Sequence, residues 1–365
     1  MDLIEFMNSG VEDILATVKR YYLGNARGQR FLGHAALSMA KQAKVRARYA
    51  KEGVNVPPFL IASIASECNL DCIGCYARAT GTVNEEAREN QLSNDAWARI
   101  FKEADEIGVS FILLAGGEPT LRRNVIETAA SFKNIIFPVF TNGTFMDDAY
   151  LSLFDRRRNL IPVFSVEGDD MQTDARRGLG VAARVRENMA KLTERNILWG
   201  TSITVTTENM EKVTSDDYVS DLYERSCGLI IYNEFVPIER GTAHLALKMP
   251  EHDELMARMK VISDHDRWPG LNAIAFPGNE EYMGGCLAAG RGFFHISQSG
   301  NAEPCPFSPY SVANVAEVGL IGALKSPFFS KIREVEAAHA SEHMGGCTLF
   351  THRSEVMRVI EELSS

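Results

Sequence analysis

From residue 59 onward, short apolar runs alternate with longer stretches in which apolar positions recur every three or four residues. The apolar runs are 59–65, 111–115, 135–140, 161–166, 199–206 and 229–236. Each has the length and the β-branched and aromatic content of a buried strand. Between them, 93–107, 124–132, 147–155, 181–195 and 211–225 carry the helical period; Ser93 is placed to cap the first of these and Asn196 to end the fourth. Strands alternating with helices predict a parallel sheet with helices packed outside it. Six such units between residue 59 and about 240 predict an α/β fold, a partial (β/α)6 TIM-type barrel. Functional groups should then collect at the carboxyl ends of the strands.

Residues 1–56 read as an N-terminal helical segment: Leu3, Phe6, Val11, Ile14, Leu15 and Val18 recur near helical spacing, and a second helix is expected over 30–50. Up to Lys51 there are nine Lys or Arg against four acids, on a chain whose net charge is −10. A solvated helix face covering one end of the barrel is the plain reading of this bias, and a patch for an acidic partner or a membrane surface is the other. Beyond about Gly241 the rhythm fades. Residues 57–245 are therefore taken as the barrel, and 246–365 as a smaller C-terminal domain that opens with a helix over 250–266. A 365-residue chain with 45% hydrophobic residues can bury a large core. Its acidity argues against nucleic acid as a partner. The start, MDLIEFMNSG, has no basic leader, and no apolar run is long enough to span a membrane, so a cytoplasmic protein is expected. Seven cysteines, an odd number, favour metal ligation over a disulfide framework.

Three of those thiols, Cys68, Cys72 and Cys75, lie within eight residues directly after the first apolar run. Thiols so close can converge on one inorganic centre as thiolates. Three ligands are one short of a structural zinc site, and the next Cys or His residues in the chain are Cys227 and His244. A [4Fe–4S] cube held by three thiolates instead leaves one iron open. The C-x3-C-x2-C spacing at the end of a first strand resembles the radical S-adenosylmethionine (SAM) superfamily. The resemblance implies that the open iron binds SAM, that an electron from a small donor such as flavodoxin or ferredoxin cleaves it, and that the resulting 5′-deoxyadenosyl radical abstracts a hydrogen atom from substrate. Relatives often place an aromatic residue just before the last cysteine; here that position is Gly74 and the aromatic is Tyr76, just after it.

The strand ends agree with a site. Gly116-Gly117-Glu118-Pro119 follows the second run, Thr141-Asn142-Gly143 the third, Ser165-Val166-Glu167-Gly168 the fourth, Thr204 to Thr207 the fifth and Asn233-Glu234 the sixth. Any one of these alone makes an ordinary turn; together with the cysteine loop they mark a binding face. Glycines let backbone approach a ligand, and their carbonyls can accept from an ammonium group. In the resembled superfamily, Gly-Gly-Glu-Pro sits against the amino group of SAM. SVEGDDMQTDARRG is similar to the fourth-strand region of radical SAM maturases, which implies that Ser165 contacts SAM and Arg177 its carboxylate, with Arg176 as the neighbouring alternative. Asn142 and Thr204 are carried as ribose or carboxylate contacts.

In the C-terminal domain, Cys286 and Cys305 bracket a strand pair turned at Ser299-Gly300-Asn301, and Cys347 follows a helix. The pattern resembles the auxiliary-cluster modules called SPASM when they hold two clusters and twitch when they hold one, and implies one auxiliary [4Fe–4S] cluster on these three thiols. Its fourth position is open to substrate or filled by a side chain such as His352. The alternatives are a zinc site completed by His295, His343 or His352, and three unrelated buried thiols. Cys227 reads as core. The resemblance implies an enzyme that oxidises or cross-links a peptide or a small metabolite. A small-molecule cyclase or dehydrogenase of the same superfamily, and a non-catalytic zinc or iron–sulfur binding protein, are the alternatives. No recognisable peptide-binding winged helix occurs in the N-terminal segment.

Overall fold

The computed structural model describes residue 17 and residues 19–22, 26–276, 285–339 and 347–364. The helix expected over 3–18 lies almost wholly outside the described residues. Six parallel strands form where the apolar runs place them: β1 Phe59–Ala65, β2 Phe111–Gly116, β3 Phe137–Thr141, β4 Leu160–Val166, β5 Trp199–Val205 and β6 Cys227–Glu234. Burial on both faces is what a parallel sheet clad in helices requires, and β4 shows it at every position but Ser165.

The sheet is larger than the pattern foretold. β7 Asn272–Phe276 adds to β6 in parallel, β8 His295–Ile296 adds to β1 in parallel, and β9 Ala302–Glu303 pairs antiparallel with β8. The order is β7-β6-β5-β4-β3-β2-β1-β8-β9. The stretch assigned to a separate C-terminal domain from residue 246 therefore supplies both edges of the barrel sheet.

Helices pack outside, as the patterning requires. In Asn94–Ile107, Ser93 Oγ accepts from Ala96 N at 3.2 Å, the helix ends at Gly108 in the left-handed region, and Trp97, Ile100, Phe101 and Ala104 bury one face. The basic helix Ala26–Lys51 covers loops that lead into β2 and β3. Gln42 donates to the carbonyls of Val109 (2.8 Å) and Asn134 (2.9 Å), and Arg46 to Gly108 O (2.6 Å) and Ser110 Oγ (2.9 Å). These loops lie at the amino ends of the strands, so part of this helix's polarity satisfies buried carbonyls there. Among the described residues, no helix is long and apolar enough to cross a membrane.

Candidate active site

The cysteine loop leaves β1 and is gripped from two sides. On one side, the end of β2 docks on it through Gly117 N to Ala65 O and Glu118 N to Glu67 O, both 2.7 Å. A Cβ on Gly116 would lie 2.4 Å from Ala65 O, and one on Gly117 would lie 2.1 Å from Glu67 O. The two glycines are thus required by the approach of the two backbones to each other. Glu118, expected to face SAM, is buried with its carboxylate turned into the fold. It accepts from Thr120 N (3.0 Å), Thr120 Oγ1 (2.6 Å), Thr141 Oγ1 (2.7 Å) and Asn142 N (2.7 Å). Burial raises its pKa against the pull of those four bonds. This carboxylate fastens the end of β2 to the end of β3, and Pro119 opens the short 3-10 turn behind it.

Asn142 braces the same loop. Its Nδ2 donates to Asn69 Oδ1 at 2.9 Å and lies 3.9 Å from Cys68 Sγ, while its Oδ1 accepts from Thr144 N at 3.0 Å. On the other side, the helix Asp170–Arg177 clamps the loop: Ile73 N donates to Arg176 O at 3.1 Å, and Arg176 Nε donates to Ile73 O at 3.0 Å. Arg176 also reaches Thr204 Oγ1 at 2.8 Å. Both arginines converge on Glu167, whose Oε1 accepts from Arg176 NH1 (2.5 Å) and from Arg177 Nε (2.9 Å) and NH2 (2.5 Å). The fork of Arg177 is therefore held by a carboxylate of the chain itself, which leaves NH1 turned toward Cys72 Sγ at 4.0 Å. Burial alone would lower the pKa of Arg177, but Glu167 and Cys72 outweigh it and the net shift is upward. In the sequence Glu167 is one of the strand-end residues that together mark the binding face; its pairing with Arg177 is not legible there, because a ten-residue separation matches no helical or strand period.

The pKa values of Cys68 and Cys72 are both pushed up by burial, and at Cys72 the two arginines oppose the shift. All three loop thiols are half-buried and face a cavity of about 630 Å³. Gly116, Gly117, Glu118, Asn142, Ser165, Arg177 and Thr204 line it too, so the structure gathers these sequence-nominated residues round one space. Tyr76 lines it as well and meets Phe307 edge-on, with ring centroids 5.4 Å apart.

The second set of thiols is also assembled. Cys286, Cys305 and Cys347 are buried; burial lifts the pKa of Cys305 well above the ordinary thiol value, and the neighbouring thiols of Cys347 and Cys286 push it the same way. His295 is not a partner for them. It is buried, with Nε2 on Ser63 Oγ and Nδ1 on Glu303 Oε2, each at 2.7 Å, so both ring nitrogens are occupied and the proposed zinc role fails. His343 lies outside the described residues. Cys227 is fully buried at the start of β6, away from the strand ends that carry the site. None of the seven cysteines is in a disulfide. Two groups of three sulfur donors, each without a fourth thiol, fit iron–sulfur clusters by donor number and softness.

The model of the radical SAM superfamily matches residues 63–216. The AdoMet-dependent heme synthase of Methanosarcina barkeri is 23% identical over 290 residues, covering 72% of this chain and 80% of its own. The sporulation killing factor maturation protein SkfB of Bacillus subtilis is 26% identical over 264 residues, covering 70% of this chain, and the match spans 61% of SkfB. Among solved structures, Streptococcus suis SuiB bound to its precursor peptide SuiA superposes with a TM-score of 0.63 at 17% identity, over 80% of this chain and 70% of that one.

Proposed function

The chain belongs to the radical SAM superfamily, and on that premise we propose that it modifies a peptide by oxidising or cross-linking a side chain. Cys68, Cys72 and Cys75 would hold the catalytic [4Fe–4S] cluster, and Cys286, Cys305 and Cys347 the auxiliary one. When bound, the first cluster and SAM supply a 5′-deoxyadenosyl radical that removes a hydrogen atom from the substrate. The residues of the chain do the positioning. NH1 of Arg177, the donor of that guanidinium not committed to Glu167, is the group available to a SAM carboxylate, and Ser165 and Thr204 provide hydroxyls on the neighbouring strands. Glu118 and Asn142 act at one remove by holding the cysteine loop. Tyr76 packs between the loop and Phe307 and helps keep water from the space between the two thiol sets. Reducing equivalents would come from a small cytoplasmic donor such as flavodoxin or ferredoxin.

The observation that carries this reading is that one cavity wall includes Cys68, Cys72 and Cys75 together with Leu287 and Pro306, the residues next to Cys286 and Cys305. A substrate there would touch both sets. The peptide class is supported by the likeness to SkfB, a maturation protein, and by a fold shared with SuiB. A small-molecule substrate is the second reading, favoured by the match over most of the heme synthase. Anaerobic reconstitution, iron and sulfide counting, and chromatography for 5′-deoxyadenosine after adding reductant and SAM test the proposal. Cys72→Ala should abolish 5′-deoxyadenosine formation; its retention would refute the assignment of the cysteine loop.

A further inference from the structure

We propose that His339, His352 and Glu355 form a site for one divalent transition-metal ion of the zinc class, separate from both thiol sets. His339 caps the C-terminal end of the helix Pro327–Ala338, and His352 directly precedes the helix Arg353–Ser364, whose first turn carries Glu355. The two helices pack on each other, and Lys331 pairs with Glu362 farther along them. Packing thus sets the three side chains side by side.

Their donor atoms are close enough to share one ion. The imidazoles are stacked, with centroids 3.5 Å apart and planes 15° from parallel. Glu355 turns one oxygen to each ring: His339 Nε2 lies 3.2 Å from Oε2, and His352 Nδ1 lies 3.6 Å from Oε1. One donor atom from each residue lies within 4.8 Å of the others. Ligands on a tetrahedral zinc with bonds of about 2.0–2.1 Å stand roughly 3.3 Å apart, close to the two observed spacings. A plain histidine–glutamate hydrogen bond accounts for one contact. A second imidazole is laid against the first with its own nitrogen facing the same carboxylate. Two imidazoles and a carboxylate suit zinc or iron(II) better than calcium or magnesium. The nearby cation Arg358, 3.9 Å from Oε1, is mostly exposed and can give way to an ion. Because Cys347 lies between residues 339 and 352 in the sequence, an ion bound here ties together the two chain positions that flank the third thiol of the C-terminal set.

The test is equilibrium dialysis of the iron-reconstituted full chain against micromolar zinc(II), with zinc and iron both counted. One zinc per chain with iron unchanged is expected, together with a higher melting temperature. His339→Gln and Glu355→Gln should each weaken zinc binding by more than the roughly 10–100-fold that loss of an outer-shell partner costs, while His244→Gln should bind as wild type does. Absence of retained zinc, equal retention in both variants, or loss of iron in proportion to zinc gained would each overturn the site. All three side chains are partly exposed, so the variants should fold, and their iron content and circular dichroism verify that.

Discussion

Glu167→Ala should destabilise the protein by about 3–5 kcal/mol, the cost of breaking a buried ion pair by removing one partner. Glu167 Oε1 accepts three N–H groups from Arg176 and Arg177. The side chains are 3% exposed for Glu167, 18% for Arg176 and 11% for Arg177, so water screens this cluster weakly. One carboxylate serves two cations. Its removal leaves both guanidinium groups underground and close together, and at an effective dielectric near 20 each lost contact at about 4 Å is of order 4 kcal/mol before solvation is restored. Oε2 has no hydrogen-bond partner among the described residues, so truncating it forfeits no bond on that side. Urea unfolding of the reduced, cluster-free protein under anaerobic conditions measures the loss. In the double variant Glu167→Ala with Arg177→Met, one orphaned cation is gone, and the total should be smaller than the sum of the single losses. A single-variant loss below about 1 kcal/mol, the value of an exposed pair, or strict additivity, would show that the arginines are not held by Glu167.

Glu118→Gln offers one acceptor oxygen where the carboxylate serves four donors, so it should cost about 1.5–3 kcal/mol; SAM affinity should fall with it, read by urea unfolding and by dialysis against labelled SAM. Burial raises the pKa of Cys227 from 9.0 to about 12. The neutral thiol therefore contributes stability that is complete below pH 9 and lost as pH climbs toward 12, which amounts to about 2 kcal/mol by pH 10.5. Cys227→Ala should flatten that decline, and an equal slope in wild type and variant would refute it. The combined Cys286→Ala, Cys305→Ala and Cys347→Ala variant should drop from roughly eight irons to roughly four and still cleave SAM, but fail to form product; full iron and full turnover would make these thiols ordinary core.

Strands β1 to β6 were legible because each is a compact apolar run between helical stretches. β7 was not: Asn272–Phe276 is five residues long and follows a tract of turn-forming residues, so only its pairing with β6 identifies it. The hairpin at Ser299-Gly300-Asn301 was legible from its turn. Its docking on β1 was not, since a two-residue strand carries no period and its partner lies more than 200 residues earlier. Among the site residues, residue type and strand-end position pointed to the cavity wall, but not to the use each residue makes of its side chain. Glu118 and Gly117 do line the cavity, as their strand-end position suggests; what the sequence does not reveal is that the Glu118 carboxylate and the missing Cβ of Gly117 also fit the loops together.

That pattern extends to the relation between the two thiol sets. Cys68 follows β1 and Cys305 follows β9, and the strand between them, β8, is hydrogen-bonded to both. Ser63 on β1, His295 on β8 and Glu303 on β9 form a continuous buried array with both links at 2.7 Å. Ladder hydrogen bonds fix how far one strand can slide on the next, and the array adds side-chain bonds that a one-residue slip would break, because such a slip turns each side chain to the other face. The loops that carry Cys68 and Cys305 therefore depart from strands whose relative position is already set, before any cluster binds. Chemistry that requires a substrate to meet both sets at once needs that distance held constant, and here sheet register holds it rather than a hinge between domains.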